Sequence, residues 1–182
     1  MHQQCKRSMR QQMRVEFLQH EVDEVLYWAQ EIEDVKRTNN VRNKKFDVNN
    51  TDVGVHAIGM LGELAAGRVL GAQPDWDIYL SGDDGNDMTA WGLTWQIKTS
   101  SMRKLIFNHA TDFVTDAAIL VHHIASKQRV FEQPVFDVVG GISRTRFMAL
   151  CFEHDFGYGV RLVVEGDDLT SMETIKKARG EV

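Results

Sequence analysis

Apolar residues recur at helical spacing in two long segments of the chain. From about Met9 to Arg37 they follow a helical period without glycine or proline, which predicts one long amphipathic helix. The second segment, VGVHAIGMLGELAAGRVLG, follows polar residues that can cap a helix, and Gly71 and Pro74 predict its end. One acidic residue, Glu63, lies inside this second apolar segment.

Short apolar or alternating stretches follow, as expected for strands. WDIYL, NDMTA and LTWQIKTS predict a three-strand meander, with SGDDG as the turn between the first two. Farther on, DAAILVHHI, VFDVVGG and GYGVRLVV predict strands, whereas SRTRFMALCF and LTSMETIKKAR predict helices. This order predicts an α+β or mixed α/β fold. Residues 1–48 would form an N-terminal helix and linker, a candidate dimerisation element, and residues 49–182 the main domain.

The composition is that of a folded protein. The chain has 182 residues, 43% hydrophobic and 26% charged, which suits one domain with a sizeable core. We expect no apolar segment long enough to cross a bilayer and find no signal-peptide core at the N-terminus, so we expect a cytoplasmic protein. Cys5 and Cys151 have no CxxC partner and predict free thiols. The formal charge of -5 means that nucleic-acid binding would require local basic patches.

The third predicted strand, LTWQIKTS, separates an apolar face from a polar face. Its alternation puts Gln96 and Lys98 on the same side. If Trp91 and Gly92 form a two-residue hairpin loop, the register places Asp87 directly opposite Gln96. Opposed residues in an antiparallel pair have Cβ atoms roughly 5 Å apart. A carboxylate and an amide oxygen at that separation can share one hard cation such as Mg²⁺.

These residues resemble the PD-(D/E)XK, or restriction-endonuclease-like, nuclease superfamily. Its pattern is a helix carrying an acid, a hairpin strand that opens with Asp, and a strand with an acid or Gln, one further residue, and Lys. Glu63 in GELAAGRVLG, Asp87 in DDGNDM, and Gln96 with Lys98 in WQIKTS match its Q-x-K variant, within residues 62–101. The resemblance implies a central mixed β-sheet flanked by helices.

The resemblance also implies a Mg²⁺-dependent DNA endonuclease, with Mn²⁺ as a substitute, of the phage, mobile-element, restriction or recombination type. Asp87, Gln96 and the carbonyl of Ile97 would hold the metal, with Glu63 bound to it directly or through water. Lys98 would orient the attacking water or stabilise charge on the phosphate. No Pro precedes Asp87, and Gln96 replaces the commoner acid. The alternative is therefore a catalytically degenerate protein of the same fold that binds DNA or serves in assembly.

Other residues leave further alternatives open. Asp83 and Asp84 would take the metal role in a different hairpin register, and a phosphate-centred site does not distinguish DNA from RNA. His122 and His123 adjoin in a strand and face opposite ways, which predicts structural roles rather than one metal site. A homodimer through the N-terminal helix would suit a nuclease that cuts both strands. The candidate phosphate contacts are basic residues on either side of the pattern: Lys44, Lys45, Arg103, Lys104, Arg144 and Arg146.

Overall fold

A computed structural model describes residues 12–39, 52–74, 76, 85–126 and 129–181, and the elements below lie within these ranges. The helices are α1 (Gln19–Thr38), α2 (Asp52–Leu70), α3 (Arg144–Leu150) and α4 (Met172–Ala178). The strands are β1 (Met13–Glu16), β2 (Met88–Ala90), β3 (Leu93–Ser100), β4 (Lys104–Phe107), β5 (Ala117–His123), β6 (Val135–Ser143), β7 (Phe152–Asp155) and β8 (Val160–Glu165). The predicted mixed α and β content is confirmed.

The described strands form two sheets that are linked through one connection. The larger sheet has the order β1-β6-β5-β3-β2, in which β3 and β5 are parallel and the other pairs are antiparallel. The smaller sheet has the order β4-β8-β7 and is antiparallel. Because β4 lies in the crossover between β3 and β5, this crossover itself supplies a strand to the second sheet.

The two faces of the larger sheet enclose separate apolar cores. On one face, residues of α1 and α2 pack against Trp95 and Ile97 of β3. On the other face, residues of the smaller sheet and α3 pack against Ala118 and Leu120 of β5. Gln96 and Lys98 are the register partners of these two β5 residues. The polar face of β3 is therefore turned toward the second sheet.

The hairpin between β2 and β3 has the predicted two-residue loop. Trp91 and Gly92 have φ angles of 54° and 69°, and positive φ at both loop positions is what a type I′ turn requires. The unusual conformation of Trp91 is supported by an edge-on contact with Trp95, with ring centroids 6.3 Å apart. The Trp95 indole also donates to the carbonyl of Ala90 at 3.0 Å. The ladder pairs are Met88↔Trp95, Thr89↔Thr94 and Ala90↔Leu93.

The helix predicted from Met9 to Arg37 is wrong in its first part. Within the described residues the segment forms strand β1 and then α1, which begins at Gln19. Val15 and Phe17 are buried, and β1 pairs with β6. Pairing with a distant strand thus overrides the helical spacing of the local sequence. The described part of the N-terminal segment shares the core of the larger sheet.

Two further differences concern short strands and the meander. Strands β4 and β7 were not predicted, and the helix predicted in SRTRFMALCF ends at Leu150, before β7. Each of these strands has four residues, too few for a clear alternating pattern. Of the predicted WDIYL strand and SGDDG turn, only the first residue, Trp76, and the last, Gly85, are among the described residues.

Helix α2 changes the expectation about membrane-spanning segments. Among the described helices, its stretch Val53–Leu70 is long and apolar enough to cross a membrane. More than half of this stretch is buried within the protein. The prediction that no apolar segment is long enough to cross a bilayer is therefore wrong. A core helix of a soluble protein meets the same criteria of length and composition, so the cellular location stays a prediction.

Two glycines of α2 test how closely this helix packs on β3. A Cβ at Gly62 would lie 1.8 Å from Thr99 Oγ1 and 2.9 Å from Thr99 Cβ, whereas a Cβ at Gly59 meets nothing within 4 Å. We expect Gly62→Ala to lower the free energy of unfolding by about 1–3 kcal/mol through overpacking. The matched control Gly59→Ala should raise it by about 0.5–1 kcal/mol. Urea unfolding measures both values, and equal effects would contradict the close contact.

Candidate active site

Asp87 contacts β3 through both its main chain and its side chain. The β2–β3 ladder ends at the pair Met88↔Trp95, one pair short of the predicted Asp87–Gln96 pair. Instead, the Asp87 N–H donates to the Trp95 carbonyl at 3.0 Å, and its Oδ2 accepts from the Ile97 N–H at 2.5 Å. The carboxylate therefore lies at the peptide that follows Gln96. An ionised carboxylate can accept several contacts at once, so this arrangement is compatible with a ligand role.

Gln96 is a buried polar residue on the face of β3 that is turned toward the second sheet. The residue is 6% exposed, and its Oε1 has no hydrogen-bond partner among the described residues. A Cβ added at Gly85 would lie 3.5 Å from Gln96 Nε2 and 2.6 Å from a methyl of Val114. Glycine thus keeps space open beside the amide. A buried unsatisfied carbonyl costs about 1–3 kcal/mol and calls for a functional explanation, such as a water or an ion.

Lys98 lies two residues beyond Gln96 on the same face of β3. Its ammonium is 5.3 Å from the centroid of the Phe107 ring, and its side chain is half-buried. The electron-rich face of an aromatic ring attracts a cation, so this contact favours one position of the ammonium. The strand and the second sheet together hold the charge near Gln96.

Glu63 approaches from the helix layer instead of from the second sheet. Its Oε2 accepts a hydrogen bond from the Trp76 indole at 3.0 Å. The carboxylate is half-buried at this position. The indole contact joins α2 to the segment that leads from the helix toward the hairpin.

Two contacts locate Glu63 relative to the hairpin. Gly62 lies against Thr99 of β3, and a Cβ at Gly67 would be 3.3 Å from Met88 Cε of β2. Glu63 precedes Gly67 by about one helical turn and shares its side of the helix. This turn of α2 therefore crosses the start of β2. Glu63 and the Q-x-K residues reach the same part of the hairpin from opposite layers.

The donor set fits a hard cation held by few carboxylates. No group of three or more His, Cys, Asp or Glu side chains suited to a metal occurs in the ranges that the structure describes. Among the described residues, a site on β3 would combine Asp87 with amide or peptide oxygens, and the orphaned Gln96 Oε1 is such a ligand. Mg²⁺ is commonly held by one or two carboxylates and keeps several waters. Asp83 and Asp84, the alternative ligands, lie outside the described residues.

Two of the predicted phosphate contacts already engage acids. Arg103 lies 3.7 Å from an Asp167 carboxylate oxygen, and Lys104 forms an ion pair with Glu165. Both pairs are partly exposed, so they contribute little to stability and can exchange partners. The connection between β3 and β4 therefore carries less net positive charge than the sequence indicates.

The other predicted phosphate contacts lie elsewhere. Arg144 and Arg146 open helix α3 and are exposed. The Arg146 guanidinium donates to Thr170 Oγ1 at 3.1 Å and so braces a neighbouring turn. Lys44 and Lys45 fall outside the described residues.

A polar row that sequence reasoning missed crosses four strands on the face of the Q-x-K residues. Ser100, His122, Asp137 and Arg14 are successive register partners on β3, β5, β6 and β1. Arg14 binds the buried Asp137 carboxylate through two contacts, of 3.0 and 3.3 Å. Arg14 and Asp137 are 123 residues apart, so no local pattern connects them.

Burial is the main influence on the pKa of His122 in this row. Burial lowers the pKa of His122 below its ordinary value, the Ser101 backbone opposes this, Arg103 lowers the pKa further, and Asp137 raises it. Its Nδ1 is buried and has no hydrogen-bond partner within the described ranges. As predicted, His122 and His123 point to opposite faces, since His123 contacts Phe136 in the helix-side core.

No family model, no curated protein and no solved structure matches this chain. The nuclease resemblance therefore stays a prediction, and the function is argued from the geometry of the site.

Gln96→Glu tests the metal site through stability alone. In EDTA we expect a lower free energy of unfolding than for the wild type, because a buried carboxylate is costly. Mg²⁺ or Mn²⁺ should raise the stability of the wild type, by about 1.4 kcal/mol at ten times the dissociation constant, and that of Gln96→Glu more steeply. Urea unfolding with and without metal gives these values.

Two variants serve as controls for this experiment. Gln133→Glu places the same change at an exposed turn residue and should respond as the wild type does. Gln96→Met removes the orphaned oxygen and its desolvation cost, so it should be at least as stable as the wild type in EDTA and should not respond to metal. If metal leaves all four proteins unchanged, Gln96 is not a ligand.

His122 predicts a pH dependence of stability. Its pKa is lowered in the folded state, so the unfolded state binds the proton more readily. The stability that neutral His122 contributes is present above about pH 6.5, its ordinary pKa, and is lost as the pH falls below that value. We expect the stability difference between wild type and His122→Asn to shrink from pH 7.5 to pH 5.5. Urea unfolding at both values checks this, and a constant difference would contradict it.

Proposed function

We propose that the protein is a metal-dependent DNA endonuclease with a restriction-endonuclease-like core. The observation that carries this proposal is the buried Gln96 Oε1, orphaned within the described residues, on the strand whose next main-chain N–H binds the Asp87 carboxylate. Lys98 lies on the same face, two residues farther along the strand. A buried acceptor, a carboxylate and an amine at one strand suit a cation and a phosphate better than they suit an apolar core.

The order of elements supports the finer fold assignment. An acid-bearing helix, α2, precedes the β2–β3 hairpin, and a crossover then leads to β5, which lies parallel to β3. The resemblance implies helices on both faces of the sheet. Here α1 and α2 cover one face, whereas the smaller sheet and α3 cover the other.

Four groups would hold the divalent cation in this proposal. They are the side chains of Asp87 and Gln96, the carbonyl of Ile97 and, from the helix layer and either directly or through water, the side chain of Glu63. Mg²⁺ is the ion, with Mn²⁺ as a substitute. When bound, the cation supplies Lewis-acid chemistry at the phosphate and lowers the pKa of water. Asp87 has a second role, because its contact with the Ile97 N–H fixes the main chain between Gln96 and Lys98.

Lys98 stabilises the negative charge that builds up on the phosphate during hydrolysis. Its ammonium is partly withdrawn from solvent beside Phe107, which strengthens its attraction to an anion relative to bulk water. Because the strand and the ring already hold the amine in place, little rearrangement is needed in the transition state. The main contribution of Lys98 is therefore electrostatic preorganisation.

The homodimer and the cytoplasmic location belong to the same proposal. Helix α1 exposes Tyr27 and Trp28, which are 60% and 41% exposed. Two copies joined there would present two sites to the two strands of a duplex.

The second candidate function is a non-catalytic nucleic-acid-binding or assembly protein of the same fold. It is favoured by Gln96, an uncharged residue, at the position where an acid is commoner. Such a protein would bind DNA in a salt-sensitive manner without metal-dependent cleavage.

Incubation with supercoiled plasmid separates the two functions. We expect nicking or linearisation in Mg²⁺ or Mn²⁺ and none in EDTA. Lys98→Met keeps the apolar stem of the side chain but removes its charge, and it should slow cleavage by about 10²–10³-fold, as loss of one transition-state donor does. Asp87→Asn should also be inactive.

Lys177→Met is the matched control, because Lys177 is an exposed lysine on α4 that pairs with Glu173. It should cleave as the wild type does. Circular dichroism verifies that each variant is folded. Equal cleavage by Lys98→Met and the wild type would refute the catalytic assignment, and DNA binding without any cleavage would favour the second candidate.

A further inference from the structure

The outer face of the smaller sheet carries a row of aromatic side chains. Phe152 and His154 of β7 are the register partners of Val163 and Arg161 of β8. The alternate residues of β8, Leu162 and Val164, pack in the core between the sheets, so Phe152 and His154 point outward. Phe156 and Tyr158 continue the row beyond the strand. We call these four residues the aromatic row.

Ring contacts connect the aromatic row from end to end. The ring centroids of Phe152 and His154 are 6.4 Å apart, those of His154 and Phe156 are 4.4 Å apart, and those of Phe156 and Tyr158 are 5.9 Å apart. Phe152 and His154 are alternate residues of β7, whereas Phe156 and Tyr158 lie in the loop between β7 and β8, where ring contacts connect them to the strand. Phe156 and Tyr158 stack at 16° to each other, whereas the other two contacts are edge-on, so the row presents ring faces in more than one direction to an extended ligand.

Three residues of the aromatic row are exposed to solvent, and the fourth, Phe156, is half-buried. Phe152 is 42% exposed and Tyr158 is 56% exposed. All four residues of β7 are exposed. Contiguous exposed aromatic surface marks an interaction site more often than scattered apolar residues do.

A cation lies at each end of the aromatic row. Lys104 Nζ is 5.9 Å from the Phe152 ring centroid, and the Arg161 guanidinium is 5.7 Å from the Tyr158 ring centroid. Lys104 pairs with Glu165 on this face, and a phosphate would replace that partly exposed carboxylate. With that exchange, aromatic faces between two cations are complementary to a partner that has flat rings and negative charges. Nucleic acid has both features, with bases that stack on aromatic rings and phosphates that bind basic side chains.

The geometry favours a single strand over a duplex. Base faces in a duplex are stacked on one another, so a protein ring can stack only on an unpaired base. The cations of this face are too few to hold a duplex backbone, since Lys104 and Arg161 account for about two phosphate contacts. Stacking must therefore supply most of the affinity.

We propose that the outer face of the smaller sheet binds a single-stranded segment of nucleic acid by stacking its bases on the aromatic row. Lys104 and Arg161 contact its phosphates. Only three residues separate the end of β3, which carries Lys98, from β4, which begins with Lys104. The substrate class that follows is DNA with a single-stranded stretch next to the cleaved bond. This assignment of a substrate rests on the proposed endonuclease function, whereas the binding of single-stranded nucleic acid does not.

Binding of a fluorescently labelled oligothymidine to the full chain in EDTA tests this proposal without cleavage. The wild type should bind the single strand more tightly than a duplex of the same length. Phe152→Ala and Tyr158→Ala should each weaken binding by about 5- to 150-fold, as loss of one base-stacking ring does. The conservative Tyr158→Phe should bind as the wild type does.

Ile124→Ala is the control, because Ile124 is an exposed apolar residue just after β5, with no role in the site or the proposed dimer, and should leave binding unchanged. Two phosphate contacts predict a slope of log affinity against log salt no steeper than about -1.4. Unchanged affinity in the row variants, with a steep salt slope, would assign binding to other basic residues and overturn the proposal. A wild-type dimer that becomes monomeric in the row variants would overturn it in favour of a second copy as the partner.

Cleavage assays separate this proposal from the endonuclease function. Lys98→Met should lose cleavage and keep strand binding, whereas Tyr158→Ala should lose strand binding and reduce cleavage of gapped duplex more than cleavage of intact duplex. If the wild type binds single-stranded DNA but neither it nor any variant cleaves DNA, the endonuclease function is refuted and this inference is retained. If the row variants cleave DNA and bind single-stranded DNA as the wild type does, this inference is refuted and the endonuclease function is retained.

Discussion

The two-residue loop at Trp91 and Gly92 determines where every candidate catalytic side chain of β3 points. Strand residues alternate between faces, so a shift by one residue would turn Gln96 and Lys98 toward the helices and Trp95 toward the second sheet. The type I′ conformation, the contact between the two tryptophan rings and the indole hydrogen bond to the main chain all favour the same register. The proposed chemistry therefore depends on two loop residues that take no part in it.

The same strand serves stability with one face and the candidate site with the other. Trp95 and Ile97 fill the helix-side core, whereas Gln96 is buried with an unsatisfied oxygen within the described structure. A well-ordered core would disfavour that oxygen, and such local conflicts are expected at functional sites. Loop length made it possible to predict that Asp87 lies near this strand. Its capture of the Ile97 N–H could not be predicted, because a side chain that binds a main-chain donor leaves no sequence pattern.

The long elements could be predicted because their patterns are strong, and the short ones were decided by distant partners. Helix α2 and strands β3, β5 and β6 have clear periods and boundaries. In the N-terminal segment, Met13 and Phe17 fit helical spacing, yet Val15 and Phe17 also fit the period of a strand. Pairing with β6 decides between them, and the Arg14–Asp137 ion pair that accompanies it joins residues 123 positions apart. Strand β7 is exposed throughout, so no apolar alternation marks it.

Strand β4, in the crossover between β3 and β5, cannot complete its sheet until it pairs with β8, which comes much later in the chain. Lys104 of β4 pairs with Glu165 of β8, 61 residues later. During synthesis from the N-terminus, the apolar side chains of Leu105 and Phe107 therefore emerge well before the strand that completes their sheet. Contacts of such long sequence separation slow folding, and an unpaired apolar strand is prone to aggregate in the meantime. The linkage between the two sheets thus means that the smaller sheet cannot close until β8 has been synthesised.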